Sequence, residues 1–149
     1  MASRNVYRVS KVFHAPLRYV YEWCTDYRET DPKIVGSTKR RIMLEKTKKR
    51  AIYVQLYYGS DGKRKVCVDI VTLKPPKSWH LDFFGEEDDE TGDYRLTSLG
   101  KEKTRLNMTF REKWKKIAKI PSIKEQIKST SRIWDKYVAA LETEYKSRK

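Results

Sequence analysis

From Ser122 to Lys149 the chain has neither proline nor glycine, and Ile123, Ile127, Thr130, Trp134, Val138, Leu141 and Tyr145 recur at steps of three and four. Steps of that size gather side chains on one face of a helix, here widened by Ile133 and Tyr137. The start is signalled too. Ser122 is placed to cap the helix, Glu125 to reach back to it, and Pro121 lies just outside. A helix of roughly 24 residues would run about 36 Å. One amphipathic helix of this length is stable only where its apolar face lies on something large. The preceding residues read as the sheet beneath it.

Asn5 to Phe13 carries Val, Tyr and Phe in imperfect alternation and reads as a strand. Ala15-Pro16 then opens a short helix, with Leu17, Val20, Tyr21 and Cys24 at helical spacing. Thr25-Asp26 and Asp31-Pro32 break it and leave room for a second short turn. From Thr38 onward the period is two. Thr38 to Glu45, Arg50 to Tyr58, Lys65 to Leu73, Ser78 to Phe84, Asp93 to Leu99 and Thr104 to Glu112 are strand candidates. Turn residues separate them: Thr47-Lys48-Lys49, Gly59-Ser60-Asp61-Gly62, Pro75-Pro76 and Gly100. Consecutive strands on short turns make an antiparallel meander. Lys113 to Ile120 reads as a basic connector containing Trp114 and Ile117. The expectation is one α+β domain over residues 1–149, with a curved antiparallel sheet of about seven strands. Two short helices follow its first strand, and the long helix closes it.

Composition limits what that domain can be. Of 149 residues, 38% are hydrophobic and 36% charged, and the net charge is +14. A domain of this size builds its core without disulfide or metal staples. No apolar run approaches the ~18 residues of a membrane span, and no signal-peptide core opens the chain. Cys24 and Cys67 have neither metal-ligand nor disulfide-framework spacing, so they read as packed thiols in a reducing, cytoplasmic setting. The positive balance favours anionic partners in general. It is also uneven, because the run Glu86, Glu87, Asp88, Asp89, Glu90, with Asp93, contains no base. That run reads as the solvated tip of a hairpin, since it lacks the alternating ligands and glycine of a Ca²⁺ loop.

Particular residues add to the order of elements. Phe13-His14-Ala15-Pro16-Leu17, then Val20, then Trp23-Cys24-Thr25-Asp26 form a strand end, an Ala-Pro step and a helix. Pro75-Pro76 precedes Trp79-His80-Leu81, and Tyr94-Arg95-Leu96-Thr97, Gly100 and Thr104-Arg105-Leu106 form a last hairpin. Along nearly its whole length the chain resembles the START-like (SRPBCC, helix-grip) superfamily, in particular its polyketide cyclase/dehydrase-like or chaperone-ATPase-activator-like branch. The resemblance implies a helix-grip fold with a cavity between the curved sheet and the long helix. Members include lipid and hormone carriers, polyketide cyclases and co-chaperone domains, so the fold does not select among activities.

On that frame the ligand-pocket candidates are Phe13, Trp79, Leu81, Phe83, Tyr94, Leu96, Leu106, Met108 and Phe110 of the sheet. Ile127, Thr130, Trp134 and Val138 of the helix complete the set. The expected occupant is a hydrophobic or amphipathic small molecule, lipid-like or polycyclic. For each large side chain taken singly, plain packing is the commoner role. No catalytic constellation, metal-ligand set or cofactor fingerprint stands out. If a cyclase or dehydratase used the cavity, Tyr94 and then Glu112 would be its acid–base candidates. An alternative partner is nucleic acid or an anionic membrane surface. It would meet Lys124, Lys128, Arg132 and Lys136, which form one ridge at i+4 steps. A second basic group surrounds the first hairpin of the meander: Lys39, Arg40, Arg41, Lys48 and Lys49. Tyr53 and Tyr57, opposite Ile52, Val54 and Leu56, are the base-stacking candidates there. Glu125 and Asp135 are expected to offset part of the ridge.

Overall fold

The computed structural model describes residues 4–59, 61–115 and 120–148. Its elements in chain order are β1 (Arg4–Phe13), α1 (Leu17–Cys24), α2 (Asp31–Ile34), β2 (Arg40–Lys46), β3 (Arg50–Tyr58), β4 (Arg64–Lys74), β5 (Ser78–Phe84), β6 (Asp88–Gly100), β7 (Lys103–Trp114) and α3 (Ile123–Ser147). All pairings are antiparallel in one seven-stranded sheet of order β1-β7-β6-β5-β4-β3-β2. The first strand therefore pairs with the last, from Arg4 opposite Lys113 to Phe13 opposite Thr104. Irregularities between Met43 and Glu45 and between Ser98 and Gly100 interrupt the ladders, which locally bends strands and increases twist.

The capping box forms as the sequence suggests. Ser122 Oγ accepts from the Glu125 amide at 3.1 Å, and Glu125 Oε2 accepts from the Ser122 amide at 3.3 Å. Ser122→Ala should cost about 1 kcal/mol. A thermal melt followed by circular dichroism should show it as a loss of roughly 2–4 °C.

α3 rests on β1 through polar contacts along its length. Tyr7 Oη lies 3.1 Å from Thr130 Oγ1, Lys11 Nζ donates to Ser131 Oγ at 2.7 Å, and the His14 amide donates to Glu142 Oε2 at 2.7 Å. The two halves of α3 behave differently. Leu141 is completely buried, and Trp134, Val138 and Tyr145 pack on the core. Ile123, Ile127 and Ile133 of the expected apolar stripe stay exposed. The C-terminal half closes on packed side chains, whereas the N-terminal half spans an opening.

Three sequence expectations change. The inner face of β3 is Ala51, Tyr53 and Gln55, all buried, while Ile52, Val54 and Leu56 face outward. Tyr53 and Tyr57 accordingly line the interior and are not solvent-facing stacking platforms. On the outer face Ile42, Val54, Val68 and Phe84 are successive cross-strand neighbours, an aliphatic and aromatic row that supports the sheet from outside. The acidic run is not a free hairpin tip either. Asp88, Asp89 and Glu90 belong to β6, and Asp88 is buried. Trp114 ends β7 instead of sitting in a connector; Ile117, expected in the same connector, lies outside the described residues.

Candidate functional site

Strand alternation decides which side chains the concave face presents. On β6 the inward positions are Asp88, Glu90, Gly92, Tyr94 and Leu96; on β7 they are Thr104, Leu106, Met108, Phe110, Glu112 and Trp114. The lower set packs solidly. Phe13, Trp79, Leu96, Leu106 and Met108 are at most 2% exposed and, with Leu141, form the closed part of the core. Beneath the N-terminal half of α3 the packing stops, and a cavity of about 440 Å³ remains. That volume lies in the range of small-molecule sites, about 300–1,000 Å³.

The cavity wall is aromatic in its middle. Tyr94 stacks on Trp79 at 4.9 Å with ring planes 8° apart, and meets Phe110 edge-on at 5.7 Å. Trp134 of α3 covers Tyr94 at 6.0 Å, and Tyr7 lies on Phe110 at 5.1 Å. Gly92 makes this possible. A Cβ there would stand 2.9 Å from Tyr94 Cε2, so only glycine lets the ring lie along the strand.

One side of the cavity is cationic. Arg41 is paired with Asp31 at 3.0 Å, its side chain only 8% exposed, and its guanidinium lies 4.3 Å from the Tyr53 ring centroid. Lys39 Nζ stands 5.6 Å from the centroid of Tyr57. Asp69, on the inner face of β4, is held above the usual carboxylate range by burial, although Tyr53, Arg41 and Lys39 pull the other way.

Another part of the wall is acidic. Glu90 and Glu112 are direct cross-strand partners, and Asp88 lies opposite Trp114. One carboxylate oxygen from each of Asp88, Glu90 and Glu112 lies within 4.8 Å of the others. Gln126 of α3 donates to Glu112 Oε2 at 2.5 Å, but Glu112 Oε1 has no hydrogen-bond partner although the residue is 1% exposed. Burial above all, then repulsion from neighbouring carboxylates, raises these acids. Glu90 is pushed up to about 8, Glu112 to about 7 and Asp88 to about 6. Such a group is chemically an acceptor that welcomes a proton, a cation or a hydrogen-bond donor.

Of the pocket residues expected from the sequence, Leu81, Phe83, Tyr94, Phe110, Thr130 and Trp134 line the cavity. Phe13, Trp79, Leu96, Leu106 and Met108 lie instead in the closed core; Val138 packs against it, and Ile127 is exposed. Tyr94 and Glu112, the acid–base candidates, both face the cavity. Of the basic residues expected on the surface, Lys39 and Arg41 line the cavity, whereas Arg40, Lys48, Lys49, Lys124, Lys128, Arg132 and Lys136 are exposed. Sequence reasoning missed Asp69, Asp88, Glu90, Gln55 and Gln126. Their signal was alternation: Asp88, Glu90 and Tyr94 share one parity on β6, as do Gln55 and Tyr53 on β3.

A seven-stranded antiparallel sheet gripping one C-terminal helix over an internal cavity defines a helix-grip protein. The chain has the START-like form of that fold, and comparison with solved structures agrees. It superposes on an aromatase/cyclase from a Streptomyces species with a TM-score of 0.73 at 15% identity, covering 98% of this chain and 96% of the other. It superposes on a START superfamily protein from Mycobacterium smegmatis with a TM-score of 0.74 at 13% identity, covering 93% and 97%. A major latex-like protein from Panax ginseng gives 0.67 at 9% identity, covering 92% and 97%. No protein-family model and no curated protein matches the sequence. Among the described residues no helix is long and apolar enough to cross a membrane.

Proposed function

We propose that the protein binds an amphipathic small molecule in the cavity between the sheet and α3. The cavity of about 440 Å³, aromatic at its centre and charged on two parts of its wall, carries this reading. One of the similar structures is that of an aromatase/cyclase, which supports an aromatic or polycyclic body for the ligand. The test is native mass spectrometry of the purified protein, with denaturing extraction of any adduct. Titration with the neutral fluorescent probe N-phenyl-1-naphthylamine follows. A stoichiometric adduct or saturable probe binding supports the reading; neither would overturn it. Thr130 lines the cavity beside Tyr7, so Thr130→Phe should lower probe affinity about tenfold or more while Lys124→Gln leaves it unchanged.

A second reading concerns the outside of α3. The acids expected to soften its basic ridge are engaged elsewhere: Asp135 pairs with Lys11 at 2.5 Å and Glu125 caps the helix. Lys124, Lys128 and Arg132 are exposed and form no ion pair with the described residues. This ridge suits an anionic surface, membrane or nucleic acid, that receives the protein with its ligand. Binding to anionic vesicles or RNA should fall steeply with salt and weaken when Lys124, Lys128, Arg132 and Lys136 become Gln. Salt-independent binding, or none, would remove this reading.

A further inference from the structure

The cavity has the wrong sign for this chain. The protein as a whole carries +14, yet Asp31, Asp69, Asp88, Glu90 and Glu112 line the cavity against Lys39 and Arg41. Arg41 is already committed to Asp31. At the acidic end no lysine or arginine of the described residues stands within ion-pair distance of Asp88, Glu90 or Glu112. Lys39 acts on Asp88 and Glu90 only from beyond that distance, and Lys115 pairs with Asp89, on the other face of β6. Burying carboxylates without a counter-charge is costly. Glu112 makes the point independently of the clustering. Its Oε1 is shut away from solvent, belongs to a cavity-lining side chain and accepts no hydrogen bond of normal geometry, although the side chains of Trp114 and Asn5 stand close enough to Glu112 to favour its charged form.

We infer that the ligand carries a cationic amine, seated among Asp88, Glu90 and Glu112, on an aromatic or alicyclic body that lies against Tyr94, Phe110 and Trp134. This rests on the proposed binding of a small molecule in the cavity and names its chemical class. An ammonium group has three donors and no acceptor, which matches three carboxylates and the unfilled acceptor at Glu112 Oε1. Tyr7 and Trp114 line the same cavity, and the face of an aromatic ring attracts a cation. A carboxylate or phosphate head at this end would meet three like charges. A bare divalent ion would use the same oxygens, but it would leave the aromatic wall and most of the cavity without a partner. Because the acids accept protons near neutrality, ammonium binding should strengthen as pH rises from about 5 to 8.5.

The experiment uses three probes with one indole-ethyl body: tryptamine, tryptophol and indole-3-propanoate. Each competes with N-phenyl-1-naphthylamine on the full chain at pH 8, with Mn²⁺ titrated separately. Tryptamine should bind at least tenfold more tightly than the alcohol, and the carboxylate should bind weakest. In Glu90→Gln and Glu112→Gln, tryptamine affinity should fall about tenfold with tryptophol little changed. If the neutral probe binds but the three indoles compete equally, or the carboxylate wins, the amine assignment is overturned and the cavity reading stands. Saturable Mn²⁺ binding that is lost in both variants, with no preference for the amine, overturns it in favour of a metal site. If neither the neutral probe nor any indole binds, both readings fall together.

Discussion

Trp79→Ala is expected to remove about 3–5 kcal/mol of stability, the range for deleting a large buried aromatic. Trp79 is 2% exposed, stacks on Tyr94 and touches Tyr21 edge-on at 5.8 Å. Its loss therefore opens a void beneath the ring that forms the cavity floor. Against a typical total of ~5–15 kcal/mol, this is a large fraction. In urea melts the midpoint should fall sharply with little change in slope. Trp79→Phe, which retains a ring under Tyr94, should lose substantially less. Equal midpoints for wild type and the alanine variant would mean that this core is not packed as described.

Glu90→Gln should stabilise the protein increasingly as pH rises from about 4.5 to 8. Burial raises Glu90 from 4.5 to about 8, with Glu112, Asp88 and Asp69 adding repulsion and Lys39 opposing it. Between about pH 4.5 and 8 the folded state thus holds a proton that the unfolded chain has released, so stability falls as pH rises through that window. Glu112 and Asp88 act in the same direction. So does His80, raised, despite burial, by hydrogen bonds to Asp93 and Asp82; its contribution is present below its ordinary value and lost above it. Substituting Glu90 alone isolates one member of the set. At pH 8.5 the gain should be up to about 5 kcal/mol, since each tenfold change in proton affinity is worth ~1.4 kcal/mol. That corresponds to as much as roughly 10–20 °C in Tm. At pH 4.5 the two proteins should melt together. Parallel melting curves across pH would show that Glu90 is not buried with its acidic neighbours. A bound amine should reproduce part of the same gain in the wild type, because it supplies the missing counter-charge.

The order of elements was legible because each rests on local chemistry. The Ser122–Glu125 capping box needs only residues three apart, and α3 begins where that box places it. The Ala15-Pro16 step precedes α1, and the double-proline turn Pro75-Pro76, whose peptide is cis, separates β4 from β5. Strand periods of two located every strand of the meander, though β6 starts earlier and β7 ends later than the apolar pattern alone suggested. Those extra residues include the acids and Trp114. A hydrophobicity pattern stops at the first charged residue, whereas ladder hydrogen bonds do not.

The candidate site divides along the same line. Its aromatic middle, Tyr94, Phe110 and Trp134, was visible as apolar side chains on shared faces. Its charged parts were not, because hydrophobic-inside reasoning turns β3 the wrong way and sends Glu90 to solvent. By itself the sequence determined the helix and its cap, the strands and their turns, and the positive charge of the exterior, all of which follow from neighbours a few residues apart. Tertiary structure alone decided that β1 closes on β7, that the N-terminal half of α3 spans a cavity, and that three carboxylates meet inside. Register between distant strands sets which face turns inward, and shifting it by one residue would exchange tyrosine and carboxylate for valine and isoleucine.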